Sequence, residues 1–158
     1  MRKIYLAGRV RGEKWKVAPK LIGAEWVASD GGNHSEHLWG ICIYDFDSDT
    51  LREGVENSFV EEVRGCVGLV AFLYDEESYG SIAEIAYAAA MGKPCFVIVR
   101  RHPKTDGDYD GMFNAYWFVS HLPGVKTYEI YCNCMAGPVF DKILPHFGIQ
   151  RDKKGEGK

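Results

Sequence analysis

Val67-Gly68-Leu69-Val70-Ala71-Phe72-Leu73 is an unbroken apolar run of strand length. A strand with no polar face suits the centre of a parallel sheet covered on both sides. The polar loop Asp75 to Ser81 leads from it into the Ala-rich segment Ile82 to Met91, which has strong helix propensity and stops at Gly92. Pro94 then opens a second apolar strand, Cys95 to Val99. Strand, helix and strand in that order imply parallel strands joined by a crossover helix.

The same alternation extends in both directions. Residues 3–7 read as a first buried strand ended by Gly8, and residues 23–27 as a second. Between them, Arg9 to Lys20 holds a loop and a short helix. Ser48 or Asp49 is placed to cap a helix from about Thr50 to Arg64, in which Leu51, Val55, Phe59 and Val63 form one apolar stripe. Downstream, residues 112–121 read as an aromatic helix or part of one, 127–132 as a last strand and 136–147 as a last helix. The expected fold is α/β: a single doubly wound, mostly parallel five-stranded sheet, flavodoxin/Rossmann-like, with helices on both faces. One domain spans residues 1–149, and residues 150–158 form a charged, flexible tail. Ligands of such sheets bind at the carboxyl ends of the strands near the topological switch point. Two loops therefore matter most, Gly8 to Gly12 and Asp75 to Ser81.

The composition narrows the function. A chain of 158 residues, 46% hydrophobic and 26% charged, supports one globular domain. Its net charge of −3 argues against a protein that coats nucleic acid. No apolar run approaches the ~20 residues of a membrane helix, and Met1 to Gly8 is too short for a signal segment. A cytoplasmic protein is expected. Five scattered cysteines do not suggest an oxidised framework, and most read as small buried hydrophobes.

Within the second loop, Gly80 permits close backbone approach and Ser81 is a reasonable helix N-cap. Glu84 falls three residues beyond Ser81, which is the spacing of a capping box. The helix it opens is apolar nearly all round, so it should be buried with its start facing the switch-point crevice. A carboxylate there can also serve as a nucleophile or a base. Both roles stand on the local sequence.

Tyr79-Gly80-Ser81-Ile82-Ala83-Glu84-Ile85-Ala86-Tyr87-Ala88, followed by Gly92-Lys93-Pro94, resembles the nucleoside 2-deoxyribosyltransferases and the related nucleoside-monophosphate N-glycosidases. The first strand, Ile4-Tyr5-Leu6-Ala7-Gly8, looks like that family's opening, so the resemblance covers about residues 3–100. It implies cleavage or transfer at the N-glycosidic bond of a (deoxy)nucleoside or its 5'-monophosphate, through a glycosyl-enzyme on Glu84. A carboxylate suits such chemistry because it stabilises an oxocarbenium-like transition state and then bonds to it. Tyr5 matches the tyrosine that orients the glutamate; otherwise it is a core aromatic. Gly8, Arg9 and Arg11 lie on the loop that meets the substrate, where an arginine matching Arg11 contacts phosphate; otherwise the loop is merely basic and solvated. Asn114 is the candidate for a polar residue donated by a neighbouring subunit, which implies a homo-oligomer, a dimer or larger, with shared sites.

Two positions depart from the family pattern. Ser78 stands where the transferases carry an aspartate, and the monophosphate hydrolases have a serine there that helps bind phosphate. Ser58, beside Asn57 and one turn before Glu61 and Glu62, stands near the family's sugar-binding aspartate and can hydrogen-bond a sugar without supplying a charge. Neither GxxxxGK[ST] nor GxGxxG occurs, so no cofactor is expected. Metal ligation is not expected either: His34-x-x-His37 lacks further ligands, and Asp45, Asp47 and Asp49 are out of register for a calcium loop. The competing functions are a non-catalytic nucleotide-binding or sensing domain, and a glycohydrolase acting on NAD.

Overall fold

The computed structural model describes residues 1–8, 14–28, 60–73, 79–100 and 118–153. In chain order the elements are β1 (Arg2–Ala7), α1 (Lys14–Val17), β2 (Leu21–Ile22), β3 (Ala24–Val27), α2 (Glu61–Gly65), β4 (Gly68–Leu73), α3 (Tyr79–Ala90), β5 (Cys95–Arg100), β6 (Val125–Ile130), α4 (Ala136–Ile143) and β7 (Gln150–Arg151). Five strands form one parallel sheet in the order β3-β1-β4-β5-β6. The chain runs from β1 outward to β3, then returns to the other side of β1 as β4. That reversal is the topological switch point of a flavodoxin/Rossmann-like α/β fold.

Strand alternation sorts the core into two layers. Tyr5, Ala7, Leu69, Ala71, Leu73, Cys95 and Val97 face α2 and α3, where Val63, Ile85 and Ala88 meet them. Ile4, Val70, Phe72, Phe96 and Ile98 face the opposite way, onto Phe140, Ile143 and Leu144 of α4 and its 3-10 extension. β4 is buried at every residue, as an apolar run without alternation requires in a sheet covered on both faces.

The helix after β4 begins at Tyr79, so Ser81 is its third residue and not its N-cap. Nor is α3 buried all round, since Ala83 and Ala90 are exposed. A helix on the outside of a sheet has only one face to bury, and alanine is small enough to stand on either. Its end is as read: Gly92 takes φ +73° and its amide bonds back to Ala89, the left-handed stop that glycine tolerates. Of the helix expected over 50–64, the residues up to 59 lie outside those described, as does most of the 112–121 stretch. β6 starts two residues earlier than expected, and the last helix is α-helical to Ile143 and 3-10 from Leu144 to Phe147.

Two further expectations are corrected. Gln150 and Arg151 do not fray: they pair antiparallel with Ile22 and Leu21, and Arg151 grips Asp141 through Nε (2.6 Å) and Nη2 (2.9 Å). The exposed edge of β2 supplies a partner that a tail-like composition cannot reveal. No oxidised framework is expected of the cysteines, yet Cys132 and Cys134 are joined by a disulfide, Cα to Cα 5.3 Å. A 3-10 turn over Asn133–Met135 folds the two together as the chain leaves β6. Cys66 and Cys95 are free and buried, and burial pushes both thiols up to about 11.

Candidate active site

The site is built over the neighbouring strands β1 and β4, on the face that α3 covers. Tyr5 sits on β1 with its ring in the α3-facing layer, because Ile4 and Leu6 occupy the alternate positions. Glu84 lies in the second turn of α3, which packs against β1, β4 and β5. The Tyr5 hydroxyl donates to Glu84 Oε1 at 2.9 Å, and among the described residues this is the bond that Glu84 makes. The capping box expected of Ser81 and Glu84 does not form, since the helix starts too early for it. Ser81 itself is buried, and a Cβ added at Gly80 would meet none of the described residues within 4 Å.

Burial raises the Glu84 carboxyl from its ordinary 4.5 to about 7. The Tyr5 hydrogen bond and the charge of Lys14 pull it down, and Glu62 on α2 pushes it up. At neutral pH this carboxyl is therefore poised between its two forms, the condition suited to a side chain that must gain and lose a proton or attack a carbon.

Lys14 was not distinguished by the sequence. It is the first residue of the short α1 and is 3% exposed, a rare state for a lysine. Its ammonium donates to Leu6 O at 3.3 Å and to Gly8 O at 3.0 Å, and its aliphatic stem lies against Gly8. Gly8 has φ +141°, and a Cβ there would stand 2.7 Å from Phe72 O and 3.1 Å from Lys14 Cδ. Glycine is thus required at the end of β1 both by its backbone and by the lysine packed over it. Burial lowers the Lys14 pKa, and the Glu84 charge opposes that. No local pattern marks this lysine, because the residues that surround it come from β1 and β4.

Of the residues read from the sequence, the structure brings Tyr5 and Glu84 into contact and places Gly8 at the end of the same strand. Gly80 and Ser81 lie on the first turn of α3. Arg9, Arg11, Ser58, Ser78 and Asn114 lie outside the described residues, as do Asp75, Glu76, Glu77, His34, His37 and the Asp45 to Asp49 cluster. The Gly92-Lys93-Pro94 turn stands at the amino end of β5, away from Glu84. Lys93 Nζ donates to Arg64 O at 3.0 Å and also to Cys66 O, which ties this turn to the α2–β4 junction. Its role is structural. At the carboxyl edge, Arg100 Nη1 donates to Asn133 Oδ1 at 2.9 Å and links the ends of β5 and β6. A cleft beside β7, lined by Ile22, Asp141, Leu144 and Arg151 among others, contains none of these candidates.

No family model matches the chain, and no curated protein matches it. The reading of the site therefore stands on its geometry and on the sequence motifs.

Proposed function

We propose that this protein is an enzyme acting at the N-glycosidic bond of a (deoxy)nucleoside or nucleoside 5'-monophosphate, with Glu84 as nucleophile and Tyr5 as its orienting partner. One observation carries the reading: a carboxyl raised to about 7 is held by a tyrosine hydroxyl at the switch point of a doubly wound sheet. A merely structural glutamate on an outer helix would face water and keep an ordinary carboxylate pKa.

In the proposed chemistry one carboxylate oxygen accepts the Tyr5 hydroxyl, which fixes the plane of the group. The other is aimed at the anomeric carbon. As the C–N bond breaks, its electron pair leaves with the base, which takes a proton from an acid. The sugar carbon bonds to Glu84 as a glycosyl ester. Water then attacks that carbon to give the free sugar, or a second base attacks to give a new nucleoside. One of Asp75, Glu76 and Glu77, on the loop that leads into α3, is proposed for the acid. Arg9, Arg11 and Ser78 are proposed for a 5'-phosphate, Ser58 for the sugar, and the first turn of α3 with Gly80 and Ser81 for the substrate's approach.

The proposal includes a homo-oligomer in which Asn114 of one subunit completes the site of another, checked by sedimentation. It also includes a cytoplasmic location. Counting free thiols in quenched cell extracts is the check there, because the Cys132–Cys134 bond persists only where reduction is weak. No helix among the described residues is long and apolar enough to cross a membrane.

The deciding experiment incubates the protein with mixed deoxynucleosides, ribonucleosides, their monophosphates and NAD, with and without an acceptor base. Free base alone indicates hydrolysis, and a new nucleoside indicates transfer. Release of nicotinamide instead identifies NAD as substrate. Glu84→Gln should lower product formation at least ~10³-fold, as expected when a covalent nucleophile is removed. Undiminished release by that variant removes Glu84 from the mechanism.

A further inference from the structure

We propose that Lys14 is a positioning residue of this site: its ammonium clamps the carboxyl end of β1 through Leu6 O and Gly8 O and serves as the counter-charge of Glu84.

An isolated buried ammonium loses several kcal/mol of hydration, so a lysine held inside a domain needs compensation. Two carbonyl acceptors supply part of it. Neither carries a full charge, and both belong to the strand end that follows Tyr5 directly. The groups facing Glu84 with charge or a titratable proton are few among the described residues. β1 contributes Tyr5, α1 contributes Lys14 and α2 contributes Glu62, while β4 offers only apolar side chains. Lys14 is thus the positive charge that, among the described residues, offsets the burial of Glu84 and the push from Glu62. Gly8 gives a second, steric indication. The chain turns at φ +141° at that residue and leaves no room for a Cβ, and part of the space denied is filled by the Lys14 stem. The first strand's end and the lysine therefore form one unit, and Tyr5, directly before Leu6, ties it to Glu84 at 2.9 Å. Displacing the ammonium would loosen the loop that begins at Gly8 and would also withdraw the charge that favours the ionised form of Glu84.

The catalytic consequence rests on Glu84 being the nucleophile, but the electrostatic claim does not, and the test keeps them apart. Glutamate side-chain carbons are labelled with 13C and titrated by NMR, with the Glu84 signal assigned by its loss in Glu84→Gln. Lys14→Met, which keeps the stem and removes the charge, should move the Glu84 midpoint up by about one pH unit, a tenfold change in ionised fraction below it. Lys14→Arg keeps the charge and should keep the midpoint near that of the parent. The reciprocal measurement protects against a Lys14 variant that does not fold. In Glu84→Gln the Lys14 ammonium, followed through its ε-carbon, should titrate at lower pH than in the parent by a similar amount, because coupling between two sites is mutual. Unmoved midpoints for both partners would overturn the proposal. If the midpoints move and base release is also observed, Lys14→Met should show its acid limb shifted upward, with activity about fivefold lower at pH 7, approaching tenfold at lower pH, and restored at higher pH. If the midpoints move and no nucleoside or nucleotide is ever cleaved, the Lys14–Glu84 coupling stands and the glycosidase reading falls.

Discussion

The Tyr5 hydroxyl donates to Glu84 Oε1 across 2.9 Å, joining residues 79 positions apart in the chain. Their meeting depends on β1 and β4 being neighbours in the sheet, with α3 folded back over both. The bond is charge-assisted when Glu84 is ionised, and it is the main interaction lowering a carboxyl that burial raises.

Removing that hydroxyl should therefore act through the ionisation of Glu84. In Tyr5→Phe the carboxyl loses a donor and its pKa climbs above about 7, so less nucleophile is ionised at neutral pH. Base release at pH 7 should fall about 10–100-fold, the range set by losing one hydrogen bond to a charged group. The acid limb should move upward in pH. A pH–rate profile of base release checks this, and an unmoved limb would mean that the hydroxyl does not act through Glu84.

Stability should carry the opposite signature. Glu84 has a folded-state pKa of about 7 against an ordinary 4.5, so between those values the native state holds a proton that the unfolded chain has lost. Stability then falls as pH rises through that window. The gap corresponds to about 3 kcal/mol at most. Glu84→Gln, which mimics the protonated form at every pH, should match the parent near pH 4.5 and exceed it by up to about 3 kcal/mol at pH 8. Urea titrations at the two pH values measure the difference, and an equal difference at both would contradict it.

Gly8→Ala should destabilise the chain by about 2–3 kcal/mol, since it combines an unfavourable backbone with a Cβ pressed against Phe72 O and the Lys14 stem. The added methyl should also unseat the Lys14 ammonium. Denaturant midpoints report the first effect. Raised reactivity of Lys14 toward an amine-directed reagent, located by peptide mapping, reports the second.

A substitution on the far layer serves as the control. Phe140 is fully buried on α4 and meets Trp26 edge-on at 5.8 Å between centroids. Phe140→Ala should cost about 3–5 kcal/mol. It should nevertheless leave the Glu84 midpoint unchanged at temperatures where the variant is folded, because the sheet separates the two layers. A shifted midpoint would show that the layers are mechanically coupled.

Legibility differed by residue. β1, β4 and β5 could be read directly because their apolar runs are dictated by burial on both faces, a property each strand carries in its own residues. Glu84 was visible as a candidate, yet the same spacing allowed a capping box. What removed that alternative was the helix starting at Tyr79, a boundary that local propensity places poorly. β7 and the Cys132–Cys134 bond were missed because each depends on a partner or turn that its own composition does not specify.

By itself the sequence determined the α/β class, the central strand and the helix that carries Glu84, whereas the pairing of that glutamate with Tyr5 came only as what the family resemblance implies. Burial and periodicity act residue by residue, so they leave a local trace. The tertiary structure alone decided that Tyr5 touches Glu84, that a lysine lies buried beside Gly8, and that the resulting balance of burial, hydrogen bonding and charge brings the carboxyl to about 7. These are properties of distances between segments, and the strand order that sets them is written in no single stretch of the chain.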